Sequence, residues 1–86
     1  MIAPDRLLPF TVGVTDRQMV QVNGRDWLRC KSWMAAHQMC AIMNGAVELM
    51  AEDQQGRGET PDLVRLGDEM AITADRMTAE AEGRQP

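Results

Sequence analysis

The chain has 86 residues, 44% hydrophobic and 26% charged, which fits one domain with a single small core and argues against two cores or wholesale disorder. Its net charge of −4 is uneven, +2 over residues 1–31 and −6 over residues 32–86, so general phosphate binding is disfavoured and a basic protein surface is an acceptable partner. No apolar run approaches the roughly 18–20 residues of a membrane span, and the N-terminus lacks the regions of a signal peptide.

The expected location is therefore the cytoplasm, with Cys30 and Cys40 as reduced thiols. Residues 1–86 are read as one domain, with flexible ends at 1–7 and 83–86.

Leu8 to Val14 reads as a first strand, because Phe10, Val12 and Val14 alternate with Thr11 and Gly13. Pro9 belongs at its beginning, since proline cannot donate to a ladder. Met19 to Val22 and Arg25 to Cys30 flank Asn23-Gly24, the preferred pair for a type I′ hairpin turn. That turn sets Val22 opposite Arg25, Val20 opposite Trp27 and Met19 opposite Leu28. A sheet this small needs helices against one face.

Ser32 is a candidate N-cap for a helix over 33–55. Trp33, Ala36, Cys40, Met43, Val47 and Met50 form one apolar stripe at helical spacing, and Ala35, Met39, Ile42, Ala46 and Leu49 form a second beside it. Gly45 weakens this helix by about 1 kcal/mol relative to alanine, yet both stripes keep their phase across Asn44-Gly45, so a continuous helix is expected. The double stripe exceeds what a thin sheet can cover. It predicts a homodimer through the helices, with Met39, Ile42, Ala46 and Leu49 at the interface.

Gly56 and Gly58 mark a helix stop and loop. Thr60-Pro61-Asp62 reads as the next helix start, with threonine as cap and proline in the first helical position. Leu63, Leu66, Met70, Ala74 and Met77 give the second helix its apolar stripe, and Ile72 falls outside it among charges. The fold class is α+β: a short antiparallel β-meander of two to three strands, then two α-helices.

Cys30, His37 and Cys40 are the only plausible metal-ligand set, but C-x6-H-x2-C is not a zinc spacing, so no metal and no cofactor are expected. Cys40 and His37 lack an orienting group and an oxyanion site, and no phosphate loop is present, so no catalytic residue is assigned and the chain is read as a non-enzyme. Arg25, Trp27, Arg29 and Lys31 form a basic, aromatic hairpin, a candidate nucleic-acid contact. Asp68, Glu69 and Asp75 around Ile72 form the candidate partner-binding face: an apolar anchor in an acidic rim suited to a basic partner. Reversing those three charges is expected to leave the fold intact.

Pro9-Phe10-Thr11-Val12, Asp16 and Val20-Gln21-Val22-Asn23-Gly24, followed by a helix bearing Ala36, Met43-Asn44 and Val47-Glu48-Leu49, resemble small accessory proteins of phages and prophages over about residues 9–50. The resemblance implies a short, acidic, non-enzymatic protein that binds and inhibits or redirects a host complex, such as a defence or transcription system, as anti-CRISPR proteins do. It places the chain in the bacterial host cytoplasm. The alternative function is a small nucleic-acid-binding regulator that uses the basic hairpin.

Overall fold

In the computed structural model, which describes residues 8–83, three strands precede two helices: β1 (Phe10–Val12), β2 (Met19–Val22), β3 (Arg25–Arg29), α1 (Trp33–Gly56) and α2 (Leu63–Ala81). The sheet is antiparallel in the order β1-β2-β3, so the α+β meander with two helices is observed. Of the expected flexible ends, 1–7 and 84–86 lie outside the described residues. No helix among the described residues is long and apolar enough to cross a membrane.

Strand β1 is shorter than the alternation suggests. Gly13 closes a tight turn in which its N–H donates to the Met19 carbonyl at 2.8 Å, and the Asp16 side chain accepts from the Gln18 N–H at 3.1 Å. A Cβ on Gly13 would lie 2.6 Å from the Asp16 carbonyl oxygen, so this position requires glycine. The chain leaves the sheet there, and Val14, expected to point inward, is 94% exposed.

The hairpin turn forms as expected, with Asn23 at φ 52° and Gly24 at φ 82°, both in the left-handed region that a type I′ turn demands. Val22 faces Arg25. Beyond that pair, a register shift at Val20/Gln21 places Val20 opposite Leu28 and Met19 opposite Arg29, not opposite Trp27 and Leu28. The cause is a bulge: one extra residue on β3 keeps Trp27 and Leu28 on the helix side together. Trp27 packs edge-on against Phe10 with ring centroids 5.3 Å apart, and Leu28 packs on the core beside Val20.

Both helices cover the same sheet face. Phe10, Val20 and Val22 meet Ala36, Cys40, Met43, Val47 and Ala51 of α1 and Leu66 and Ala71 of α2. Helix α1 runs unbroken through Asn44-Gly45. Ser32 caps it by accepting from the Ala35 N–H at 3.1 Å. At its end Gly58 takes φ 81°, its N–H donates to Gln55 O at 3.0 Å and the Glu59 N–H donates to Gln54 O at 2.9 Å, the paired bonds of a Schellman cap. Trp33, expected on the core stripe, is instead 46% exposed and stacks edge-on with His37. Met50 is also exposed, and Ala51 takes its place in the core.

Helix α2 starts two residues later than expected. Asp62, not Thr60, is the cap, its carboxylate accepting from the N–H groups of Val64 and Arg65 at 3.1 and 3.3 Å. Its extended backbone (φ −110°, ψ 103°) leaves Pro61 before the helix, not in its first turn. Gly67 then allows α2 to touch the sheet edge, since a Cβ there would lie 2.4 Å from the Pro9 Cβ.

One side chain ties α1 to the outer edge of β1. Asn44 accepts from the Phe10 N–H at 3.0 Å and donates to the Phe10 carbonyl at 2.8 Å. Its amide acts as a short stand-in for a further strand.

Candidate functional site

Strand β3 is a sheet edge, and α2 lies alongside it. Trp27, on the helix side of β3, aims its indole N–H at α2, where it donates to Asp75 Oδ1 at 3.1 Å. Arg25, opposite Val22 and so on the same side, pairs with Asp68 Oδ1. Asn23, held by the turn, donates through Nδ2 to Asp68 Oδ1 at 3.0 Å and to the Val64 carbonyl at 2.8 Å. Three residues of the hairpin thus bind α2 at Val64, Asp68 and Asp75, one and then two turns apart.

Between these tethers lies a concavity of about 330 Å³, with Trp27, Ala71 and Ile72 as its apolar part and Arg25, Asp26, Asp68 and Asp75 around it. Ile72 is 57% exposed, as its position off the buried stripe of α2 requires. Asp26 adds a third carboxylate at the rim, where it also accepts from Gln21 Nε2 at 3.0 Å.

The two surfaces expected from the sequence as alternatives are therefore partly one. Asp68, Ile72 and Asp75 of the acidic face and Arg25 and Trp27 of the basic hairpin line the same concavity. Three expected residues do not join them. Glu69 lies on another side of α2 and accepts from Arg65 Nε at 3.0 Å, Arg29 pairs with Asp16, and Lys31 is beyond the end of β3. Asn23 and Asp26 were not anticipated at the site. Asn23 carried only its turn signal, and Asp26 adjoins Trp27 in sequence but alternates to the other side of the strand.

The basic reading loses two of its cations, because Arg25 and Arg29 are both paired with carboxylates. The charge reversal of Asp68, Glu69 and Asp75 also ceases to be structurally silent, since Asp68 and Asp75 hold α2 to the hairpin.

The cysteine and histidine stand apart from this site. His37 is exposed against Trp33, whereas Cys40 is buried in the α1 core stripe. Burial, with a smaller contribution from Cys30, pushes the Cys40 thiol above its ordinary value, which keeps it protonated and unreactive at neutral pH. Among the described residues no group of three or more histidine, cysteine, aspartate or glutamate side chains is placed to hold a metal ion.

Comparison with protein-family models, with curated proteins and with solved structures finds no match to this chain.

Proposed function

We propose that this chain is a non-enzymatic binding module that engages a basic segment of another protein at the concavity between β3 and α2. The observation that carries this reading is the exposed Ile72 set among Asp26, Asp68 and Asp75 with one cation, Arg25, in the same concavity. An apolar anchor inside a charged rim is how interfaces concentrate their energy. Among the described residues Asp68 and Asp75 each bond to the hairpin through Oδ1 alone, so Oδ2 of each is placed to accept from a lysine or arginine of the partner. The inhibition of a host complex implied by the resemblance to phage accessory proteins takes this form: occupation of a basic cleft in a defence or transcription assembly. That role places the chain in a bacterial cytoplasm.

The test is capture from a bacterial lysate with wild-type protein, Ile72→Glu and Glu69→Lys, followed by titration of the captured protein. Ile72→Glu is expected to weaken binding by more than about 10-fold, the scale of one interface anchor. Glu69→Lys, outside the concavity, is expected to act weakly and through salt-dependent association alone. Equal binding by wild type and Ile72→Glu refutes the site. Salt-dependent binding of a single-stranded oligonucleotide, lost on Lys31→Glu, would support the nucleic-acid reading in its place.

A further inference from the structure

Helix α1 carries an apolar face that no other described residue covers and that is separate from the concavity beside α2. Its buried stripe is Ala36, Cys40, Met43, Val47 and Ala51. Of the neighbouring stripe, Ile42 and Leu49 turn outward, 66% and 69% exposed, whereas Ala35 and Ala46 are half-buried and Met39, expected at the interface, packs against the chain's own core. Trp33 to Val47 is a run of 15 residues without a single Asp, Glu, Lys or Arg. A helix surface exposed only to water normally carries charge on that side.

Gly45 gives an independent indication. It lies in the fourth turn of α1, where glycine weakens a helix, and a Cβ added there would meet nothing within 4 Å. The fold of this chain does not require a glycine at that point. Gly45 sits between Ile42 and Leu49 at spacings of three and four residues, on the edge of the exposed stripe. A missing side chain there allows another backbone to come close.

We propose that α1 pairs antiparallel with α1 of a second copy of this chain, crossing near Gly45-Ala46, so that Ile42 of each copy packs on Leu49 of the other. Charge selects this occupant and this orientation. The C-terminal end of α1 is acidic, with Glu48, Glu52, Asp53 and, in the following loop, Glu59 outnumbering Arg57, which pairs with Asp53 and Glu59, whereas Lys31 precedes the N-terminus. An antiparallel crossing brings the Lys31 end of each helix toward the acidic end of the other, and it opposes the two helix dipoles. A parallel crossing would stack acid on acid. The two-fold contact is self-complementary, which closes the assembly at two copies.

The experiment is sedimentation equilibrium from about 1 to 500 μM, a span that brackets a modest interface. A species of twice the 9.6 kDa chain mass is expected to grow in over that range. Ile42→Lys and Leu49→Lys are each expected to weaken association by more than about 30-fold with an unchanged circular dichroism spectrum, since neither side chain is in the core. Gly45→Leu is the sharper variant. It has room in the single chain and removes a helix-weakening residue, so its melting temperature in dilute solution should hold or rise while the dimer is lost. Carbodiimide cross-linking of mixed isotopically light and heavy protein should join Lys31 of one copy to an acid between residues 48 and 59 of the other.

Wild type that stays at 9.6 kDa throughout overturns the proposal, as does a dimer indifferent to Ile42→Lys and Leu49→Lys. A dimer that survives Gly45→Leu overturns the close crossing. Cross-links joining the ends in a parallel sense overturn the orientation.

Discussion

Asn44→Ala is the substitution with the most informative consequence for the fold. The Asn44 side chain is half-buried and makes two hydrogen bonds to one residue of an edge strand, accepting from the Phe10 N–H at 3.0 Å and donating to the Phe10 carbonyl at 2.8 Å. Alanine removes both partners and leaves two backbone groups in a partly buried place. A hydrogen bond of this kind contributes about 0.5–1.5 kcal/mol net, and a group left unmet costs about 1–3 kcal/mol when fully buried. Partial exposure lets water recover some of that loss, so the expected destabilisation is about 1.5–3 kcal/mol. For a domain of this length each kcal/mol moves the melting temperature by about 4–8 °C, so a fall of roughly 6–24 °C is expected. Urea unfolding followed by tryptophan fluorescence measures it, because Trp27 packs on the same Phe10 whose backbone Asn44 holds. A midpoint shift with an unchanged m-value reports stability, whereas a changed m-value reports loss of β1 from the cooperative unit. A loss below about 0.5 kcal/mol, within the range of ordinary surface substitutions, would refute the view that Asn44 closes the free edge of β1.

Three further outcomes follow from the same geometry. Gly24→Val places a β-branched residue at φ 82° in open space, so backbone strain alone acts, and a loss of about 1–2 kcal/mol is expected in thermal melts; no change would mean that the turn can relax out of the left-handed region. Gly67→Ala drives a Cβ to 2.4 Å from the Pro9 Cβ and 2.8 Å from its Cγ, so α2 must move off the sheet, at a cost of about 1–3 kcal/mol in urea unfolding; an unshifted midpoint would exclude that close contact. Asp75→Lys takes away the acceptor of the Trp27 indole N–H, so its proton resonance should shift strongly and its exchange with solvent accelerate, whereas Glu69→Lys should leave it in place; identical indole spectra for all three proteins would remove the tether between β3 and α2.

The parts of the fold that were legible in the sequence rest on local chemistry. Asn23-Gly24 fixes its turn because both residues must take positive φ, and Gly58 ends α1 for the same reason. The two helices follow from apolar spacing that needs no knowledge of what they face. The parts that were not legible depend on groups far apart in the chain. The bulge between Asp26 and Leu28 brings Leu28 onto the core beside Val20, while Trp27 keeps to the same side and reaches both Phe10 and Asp75, residues 17 positions before it and 48 after it. A two-residue turn alone counts forward in strict pairs and sets Trp27 opposite Val20. Val14 continued the alternation of β1, but Gly13 is bonded to Met19 and packed against the Asp16 carbonyl, so the strand ends where the pattern continues.

The functional face shows a related division. Net charge along the sequence distinguishes a basic hairpin from an acidic helix, and two surfaces of opposite sign invite two opposite partners. In the fold these charges find each other first. Arg25 meets Asp68, the Trp27 indole meets Asp75, and Asn23 adds its amide to Asp68. Arg25, Asp68 and Asp75 are therefore engaged in joining β3 to α2. What is left for recognition is the remainder: an exposed isoleucine, the outlying carboxylate of Asp26 and the unengaged oxygens of two tethered acids. Tethering lowers the entropy a partner must remove, because Asp68 and Asp75 are already held in place when it arrives. The same argument separates Glu69 from its neighbour Asp68. Glu69 pairs only with Arg65 four residues earlier on its own helix, and an exposed pair of that kind adds little rigidity. Position in the tethered network, not sign of charge, is what distinguishes the candidate contact residues of α2 from its solvated ones.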